Sequence, residues 1–150
     1  PLRGSDVINC WTALDPIPLE TALRFWRGSH AQKVIYQAAE FSGESDYRHL
    51  QTDRPPPPEI DTDPTAEILA TDMNPGDMLV WDSHTFHSAP GNTSSNRRAA
   101  FSVNWTGDGA VFHDMPSLGT YRDDCIHDGM PIAGDRFPTL RTRESALRRG

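Results

Sequence analysis

The chain has 150 residues, 36% of them hydrophobic, with 13 Pro, 11 Gly and a formal net charge of −7. That length suits a single domain with its own core, and that composition suits turns and loops rather than long helices. The acidic balance excludes sequence-independent nucleic-acid binding, which needs a basic surface to neutralise phosphate, and no run approaches the roughly 20 apolar residues of a membrane helix.

Asp6–Leu14 alternates Val, Ile and Trp with polar residues and stops at Asp15-Pro16, which predicts a strand. Thr21–Trp26 is predicted as a second strand, closed by the turn residues Arg27-Gly28-Ser29-His30. Ala31–Phe41 has apolar residues at Val34, Ile35 and Ala38, a spacing that predicts a short helix. Gly43–Pro64 is polar and carries Pro55-Pro56-Pro57-Pro58, so a surface loop is expected, either a plain connection or a lid. Ala66–Ala70, Met78–Trp81, Phe86–Ala89 and Ala99–Trp105 read as further strands, and Asn74-Pro75-Gly76-Asp77 as the tight turn that launches the second of these. From Thr106 onward periodicity fades, with a short basic helix expected over Arg141–Arg149. Short strands between turns imply an antiparallel sandwich or barrel.

Cys10 and Cys125 form neither a disulfide framework nor a zinc motif, and read as reduced thiols. No basic-then-apolar leader appears in Pro1–Trp11, so a cytoplasmic protein is expected and the sequons at Asn92 and Asn104 are taken as chance. Among the six histidines, His84 and His87 lie closest, yet residues three apart on a strand point to opposite faces. They share a metal only if the backbone turns between them. His30, His49, His84, His113 and His127 are expected to be exposed or internally satisfied imidazoles.

His87 differs because of the run that follows it. A turn rich in Gly, Asn and Ser reverses the chain, and Arg98 opens the next strand. If that strand returns beside its predecessor, His87 and Arg98 meet near one end of a sheet. Arg98, Ala100, Ser102 and Asn104 then share one small, polar face. Two arrangements fit this spacing equally: a cavity for a carboxylate ligand, or a solvent-facing side with Arg98 in water.

Three segments resemble the phytanoyl-CoA dioxygenase family of iron(II)/2-oxoglutarate oxygenases. They are Ser5–Asp15 with its Trp-x-Ala-Leu-Asp core, Ala22–His30 with its Gly-Ser-His turn, and Gly76–Asp82 continuing through His87, Asn92 and Arg98. The resemblance spans about Ser5 to Trp105. It implies an all-β double-stranded β-helix, a cupin-like jelly roll, here an incomplete single domain over residues 1–150 with a Pro-rich loop at 43–64 and an irregular tail at 106–150. It further implies Fe(II) as cofactor and 2-oxoglutarate as cosubstrate. His87 becomes the distal iron ligand, Arg98 the partner of the far 2-oxoglutarate carboxylate, and Trp11 a wall of the cosubstrate pocket. Asn92, Gly28, Ser29 and His30 are assigned to turns.

The chain departs from the family in having no His-x-Asp sequence, the source of the other two ligands. That motif is expected before Pro1, so the chain reads as a fragment, inactive alone, of a parent dioxygenase. The implied reaction is hydroxylation of a small organic substrate by dioxygen, with 2-oxoglutarate decarboxylated to succinate and carbon dioxide. Alternatives are halogenation, if the upstream carboxylate were absent, and a non-catalytic jelly-roll module that grips an anion with Arg98. Because a histidine must be neutral to bind metal, activity is expected to fall in acid. Neither the substrate nor the oligomeric state follows from the sequence.

Overall fold

The computed structural model describes residues 2–4, 6–37, 53–60, 62–114, 126–135 and 137–140. Eight strands follow one another: β1 (Leu2–Arg3), β2 (Val7–Ala13), β3 (Arg24–Trp26), β4 (Ile68–Leu69), β5 (Met78–Asp82), β6 (His87–Ser88), β7 (Ala100–Thr106) and β8 (Val111–Phe112). The chain divides into two compact units, residues 9–103 and residues 1–8 with 104–150.

Two three-stranded sheets, ordered β5-β2-β7 and β4-β3-β6, frame the larger unit. In the second sheet β3 is central and antiparallel to both neighbours, with Phe25 opposite Leu69 on one side and His87 on the other. Ala13, Ile17, Ala22 and Met73 form the buried cluster, and Trp11 and Leu79 pack onto it. Ile17 and Met73 exchange both backbone hydrogen bonds at 2.9 Å, so the two largest members are fixed face to face. Ile17 is 1% exposed. Truncating it leaves a cavity that neighbours cannot close, and Ile17→Ala is expected to cost about 2–5 kcal/mol by urea unfolding.

The register of β5 is set by its turn. Asp77 N–H donates to Asn74 O at 3.0 Å, with Pro75 and Gly76 between them and Gly76 at φ +96°, a type II turn. Gly76 N–H then donates to Ala13 O, while Ala13 N–H donates to Asp77 O, both at 2.9 Å. Two residues of one strand thus oppose one of the other, a bulge that takes glycine at its first position. Alternation beyond it turns Leu79 and Trp81 inward and leaves Met78 and Val80 exposed.

In the smaller unit β1 pairs antiparallel with β8, placing Leu2 opposite Phe112. Ala110, Phe112 and Ile126 are buried there. Asp128 accepts from His113 Nδ1 at 3.0 Å and from Arg3 Nη1 at 3.1 Å. β8 therefore arises in the stretch where sequence periodicity fades.

Two expected elements differ. The helix expected over Ala31–Phe41 is replaced by one 3-10 turn, Ser29–Gln32, which Lys33 closes in the left-handed region at φ 51°. Residues 33–37 are not helical and residues 38–41 lie outside the described part. A helix this short needs a face to bury, and Ile35 is exposed. The strand expected from Thr21 begins at Arg24, because Leu19–Thr21 forms a 3-10 turn behind Pro18. Of the Pro-rich segment, residues 53–60 are described and carry no strand, as the prolines require. The helix expected at Arg141–Arg149 and residue Cys125 lie outside the described residues. Among the described residues no helix is long and apolar enough to cross a membrane.

Candidate functional site

The link from β5 to β6 is a tight turn held by Asp82. Its Oδ1 accepts the His84 backbone N–H at 2.7 Å and His84 Nδ1 at 2.9 Å, and its backbone carbonyl accepts Thr85 N–H at 2.8 Å. Burial pushes the Asp82 carboxyl up, but the His84 hydrogen bonds and Lys33, at 3.5 Å, outweigh it and hold the group below its ordinary value. The backbone therefore does turn between His84 and His87. Even so, each imidazole directs Nδ1 to its own partner, His84 to Asp82 and His87 to Thr85.

His87 opens β6, half-buried, stacked on Phe25 (ring centroids 5.9 Å apart, 23° between planes) and in edge contact with Trp81 (5.2 Å). Its Nδ1 lies 2.9 Å from the Thr85 carbonyl. A carbonyl only accepts, so Nδ1 carries the hydrogen and the neutral ring presents Nε2 as a lone-pair donor. Metal-binding histidines are oriented in this manner.

A second contact fixes the backbone just ahead of His87. Ser29 is 4% exposed. Its hydroxyl donates to Trp26 O and accepts Phe86 N–H, both at 2.8 Å, while Trp26 N–H donates to Phe86 O at 3.0 Å. Gly28, at φ +78°, turns the chain so that Ser29 can reach. The Gly-Ser-His segment is thus a turn that also braces the strand bearing His87. Ser29→Ala would leave the part-buried Phe86 N–H without its acceptor and is expected to cost about 1 kcal/mol in urea unfolding.

Arg98 meets these elements from an unexpected side. β6 and β7 are not neighbours in one sheet: β6 pairs with β3, whereas β7 pairs with β2. The turn between them carries the chain from one sheet to the other, so the simple hairpin expected from the sequence does not form. Arg98 is nonetheless half-buried, with Nη1 donating to Thr21 O and to Pro90 O. Thr21 lies just before β3 and Pro90 just after β6. His87 is three residues from Pro90, roughly 10 Å along an extended chain. Both groups thus border one stretch of the second sheet, and Arg98 is partly withdrawn from solvent. Among the described residues it has no carboxylate partner. Arg97 does: Asp15 takes it in a bidentate pair at 2.9 Å, outside and exposed.

Trp11 lies on the inner face of β2 with Ala13, half-buried on the Ile17–Met73 cluster beside Leu79. Asn92 holds its loop, donating to Asn96 O and accepting from Ser94. A cleft of about 400 Å³, walled by Leu23, Phe25, Leu69, Leu79 and Trp81, lies against the same two rings that flank His87. Among the described residues no three His, Cys, Asp or Glu side chains are placed to hold a metal ion. One imidazole is not an iron site. Sequence reasoning took Asp15 as a strand stop and as the end of the Trp-x-Ala-Leu-Asp core without giving it a role, and missed Thr85, whose contribution is a backbone carbonyl.

Among the solved structures that resemble the chain are three of related enzymes. The non-heme α-ketoglutarate-dependent epimerase SnoN from nogalamycin biosynthesis aligns with a TM-score of 0.60 at 22% identity over 94% of this chain. A second SnoN structure, in complex with Fe3+, α-ketoglutarate and nogalamycin RO, gives 0.61 at 23% over 94%. The α-ketoglutarate-dependent carbocyclase SnoK gives 0.60 at 21% over 92%. The chain spans about half the length of these proteins, 50%, 53% and 55% respectively. At such identities the likeness establishes the fold, and it is the all-β jelly roll expected from the sequence. No curated protein matches the sequence. The sequence model of the phytanoyl-CoA dioxygenase (PhyH) family, whose members use Fe(II) and 2-oxoglutarate, matches residues 1–100. With two-thirds of its length under that match, this chain belongs to the phytanoyl-CoA dioxygenase family.

Proposed function

We propose that this chain carries the distal-histidine and 2-oxoglutarate-arginine half of an iron(II)-dependent oxygenase, the other two iron ligands lying outside the described residues. In this reading His87 Nε2 is one metal ligand. Arg98 takes the far carboxylate of 2-oxoglutarate, and Trp11 lines the cosubstrate pocket. Bound iron(II) supplies the activation of dioxygen that couples decarboxylation of 2-oxoglutarate, to succinate and carbon dioxide, with oxidation of a small organic substrate. The chain's own contribution is positional and electrostatic. Thr85 holds the His87 tautomer, the guanidinium of Arg98 neutralises a carboxylate in a partly buried setting, and Leu23, Phe25 and Trp81 keep the neighbouring space apolar.

The observation that carries this reading is a half-buried guanidinium that has no acidic partner among the described residues, tethered beside the strand whose histidine has no Nε2 partner among them either. A guanidinium so placed is suited to an external carboxylate. Hydroxylation is the outcome proposed here. SnoN and SnoK are an epimerase and a carbocyclase that depend on the same cosubstrate. The test is succinate release from 2-oxoglutarate by the iron-loaded full-length protein under air. Turnover that depends on iron and oxygen is expected, and its absence from well-folded, iron-loaded protein would remove the proposal. Residues 1–150 alone are expected to give no turnover.

A further inference from the structure

We infer that Asp15 is the positioning residue for Arg98. The inference rests on Arg98 binding the cosubstrate, and it goes beyond that reading by naming what aims the guanidinium. Asp15 follows β2, and its side chain is 16% exposed. Oδ1 accepts Arg97 Nη2 at 2.9 Å; Oδ2 accepts Arg97 Nε at 2.9 Å and the Ala99 backbone N–H at 2.8 Å. The Ala99 carbonyl in turn accepts the N–H groups of Leu14, at 3.0 Å, and Asp15, at 3.3 Å. The residues on both sides of Arg98 are therefore pinned to one carboxylate and its own backbone.

That arrangement decides where Arg98 points. Successive side chains of an extended segment face opposite ways. With Arg97 drawn outward onto Asp15, Arg98 is directed to the other side, where Nη1 finds Thr21 O and Pro90 O. The outer ion pair itself contributes little to stability, because Arg97 is 79% exposed. Its effect is orientation. A planar fork binds a carboxylate through two parallel bonds, so its aim as well as its charge sets the affinity. The Arg97 bond, followed by the Ala99 N–H, holds the Asp15 carboxyl below its ordinary value. A depressed carboxylate is ionised at neutral pH, so the clamp is intact there and is lost only as pH falls through that lowered value.

The test is calorimetric titration of 2-oxoglutarate into the iron(II)-loaded full-length protein without oxygen, with iron affinity measured separately. Asp15→Ala is expected to weaken 2-oxoglutarate about tenfold while iron affinity stays within about twofold. Asp15→Asn, which keeps an acceptor for Ala99 N–H, and Arg97→Ala, which alters an exposed side chain, should each give a smaller loss in the same direction. Combined with Arg98→Ala, Asp15→Ala should add nothing further. If Arg98→Ala weakens 2-oxoglutarate but the Asp15 and Arg97 variants do not, the inference falls and the role of Arg98 stands. If Arg98→Ala has no effect, the cosubstrate reading itself falls. Equal loss of iron and 2-oxoglutarate in the Asp15 variants would mark a general structural role and also overturn the inference. Should Asp15→Ala fail to fold, the Asn and Arg97 variants decide.

Discussion

His87→Ala is expected to abolish turnover in the full-length protein. It should lower iron(II) affinity by more than the ~10–100-fold that follows loss of an outer partner of a metal ligand. The substitution removes the Nε2 that Thr85 orients and leaves the Phe25 and Trp81 rings facing a void. Void and ligand effects are separable. His87→Gln fills most of the space and can still bond the Thr85 carbonyl, yet offers no imidazole nitrogen. It should melt close to the unmodified protein and still fail to hold iron, as read by metal content after dialysis. Retention of one iron per chain in that variant would remove His87 from the ligand set.

The second large effect is expected at Arg98. Arg98→Lys keeps a positive charge and a donor for Thr21 O or Pro90 O, but loses the paired geometry of the guanidinium. A charge-assisted hydrogen bond contributes about 1.5–3 kcal/mol. The 2-oxoglutarate KM should therefore rise about 10- to 100-fold, with a smaller change in kcat at saturating cosubstrate. An unchanged 2-oxoglutarate titration in Arg98→Lys would mean that the arginine serves only its two carbonyls. The contrast with Arg97 sharpens the test. The two arginines are adjacent and chemically identical, and of the two only Arg98 is half-buried and free of an acid among the described residues.

The strands that position the site were legible where alternation and turn chemistry agree. β2, β5 and β7 fall within a residue or so of expectation, and Asn74-Pro75-Gly76-Asp77 forms the turn its residues demand. His87 and Arg98 were expected as a pair from their spacing and family resemblance; the structure places His87 in β6 and the Arg98 guanidinium on Pro90 O, just after β6, and on Thr21 O, just before β3. The route between them was not legible. A Gly- and Asn-rich turn between two strands reads locally as a hairpin, because nothing in a short window says which sheet the second strand will join. That choice is made by β2 and β3, each distant in sequence from the strand it recruits. The same holds for Asp15. Beside Pro16 it reads as a strand terminator, and its partners Arg97 and Ala99 lie over eighty residues away. Ser29 was read as a turn residue, and its bond to Phe86 N–H depends on strand pairing that no local pattern encodes.

The most direct test of the whole account is an oxygen-free crystal structure of the full-length protein grown with iron(II) and 2-oxoglutarate, with iron located by anomalous scattering. The iron peak is expected about 2 Å from His87 Nε2, a metal–imidazole bond length, with a 2-oxoglutarate carboxylate on the guanidinium of Arg98. An iron peak bonded to other residues and remote from His87, or a cosubstrate whose carboxylates both avoid Arg98, would contradict it.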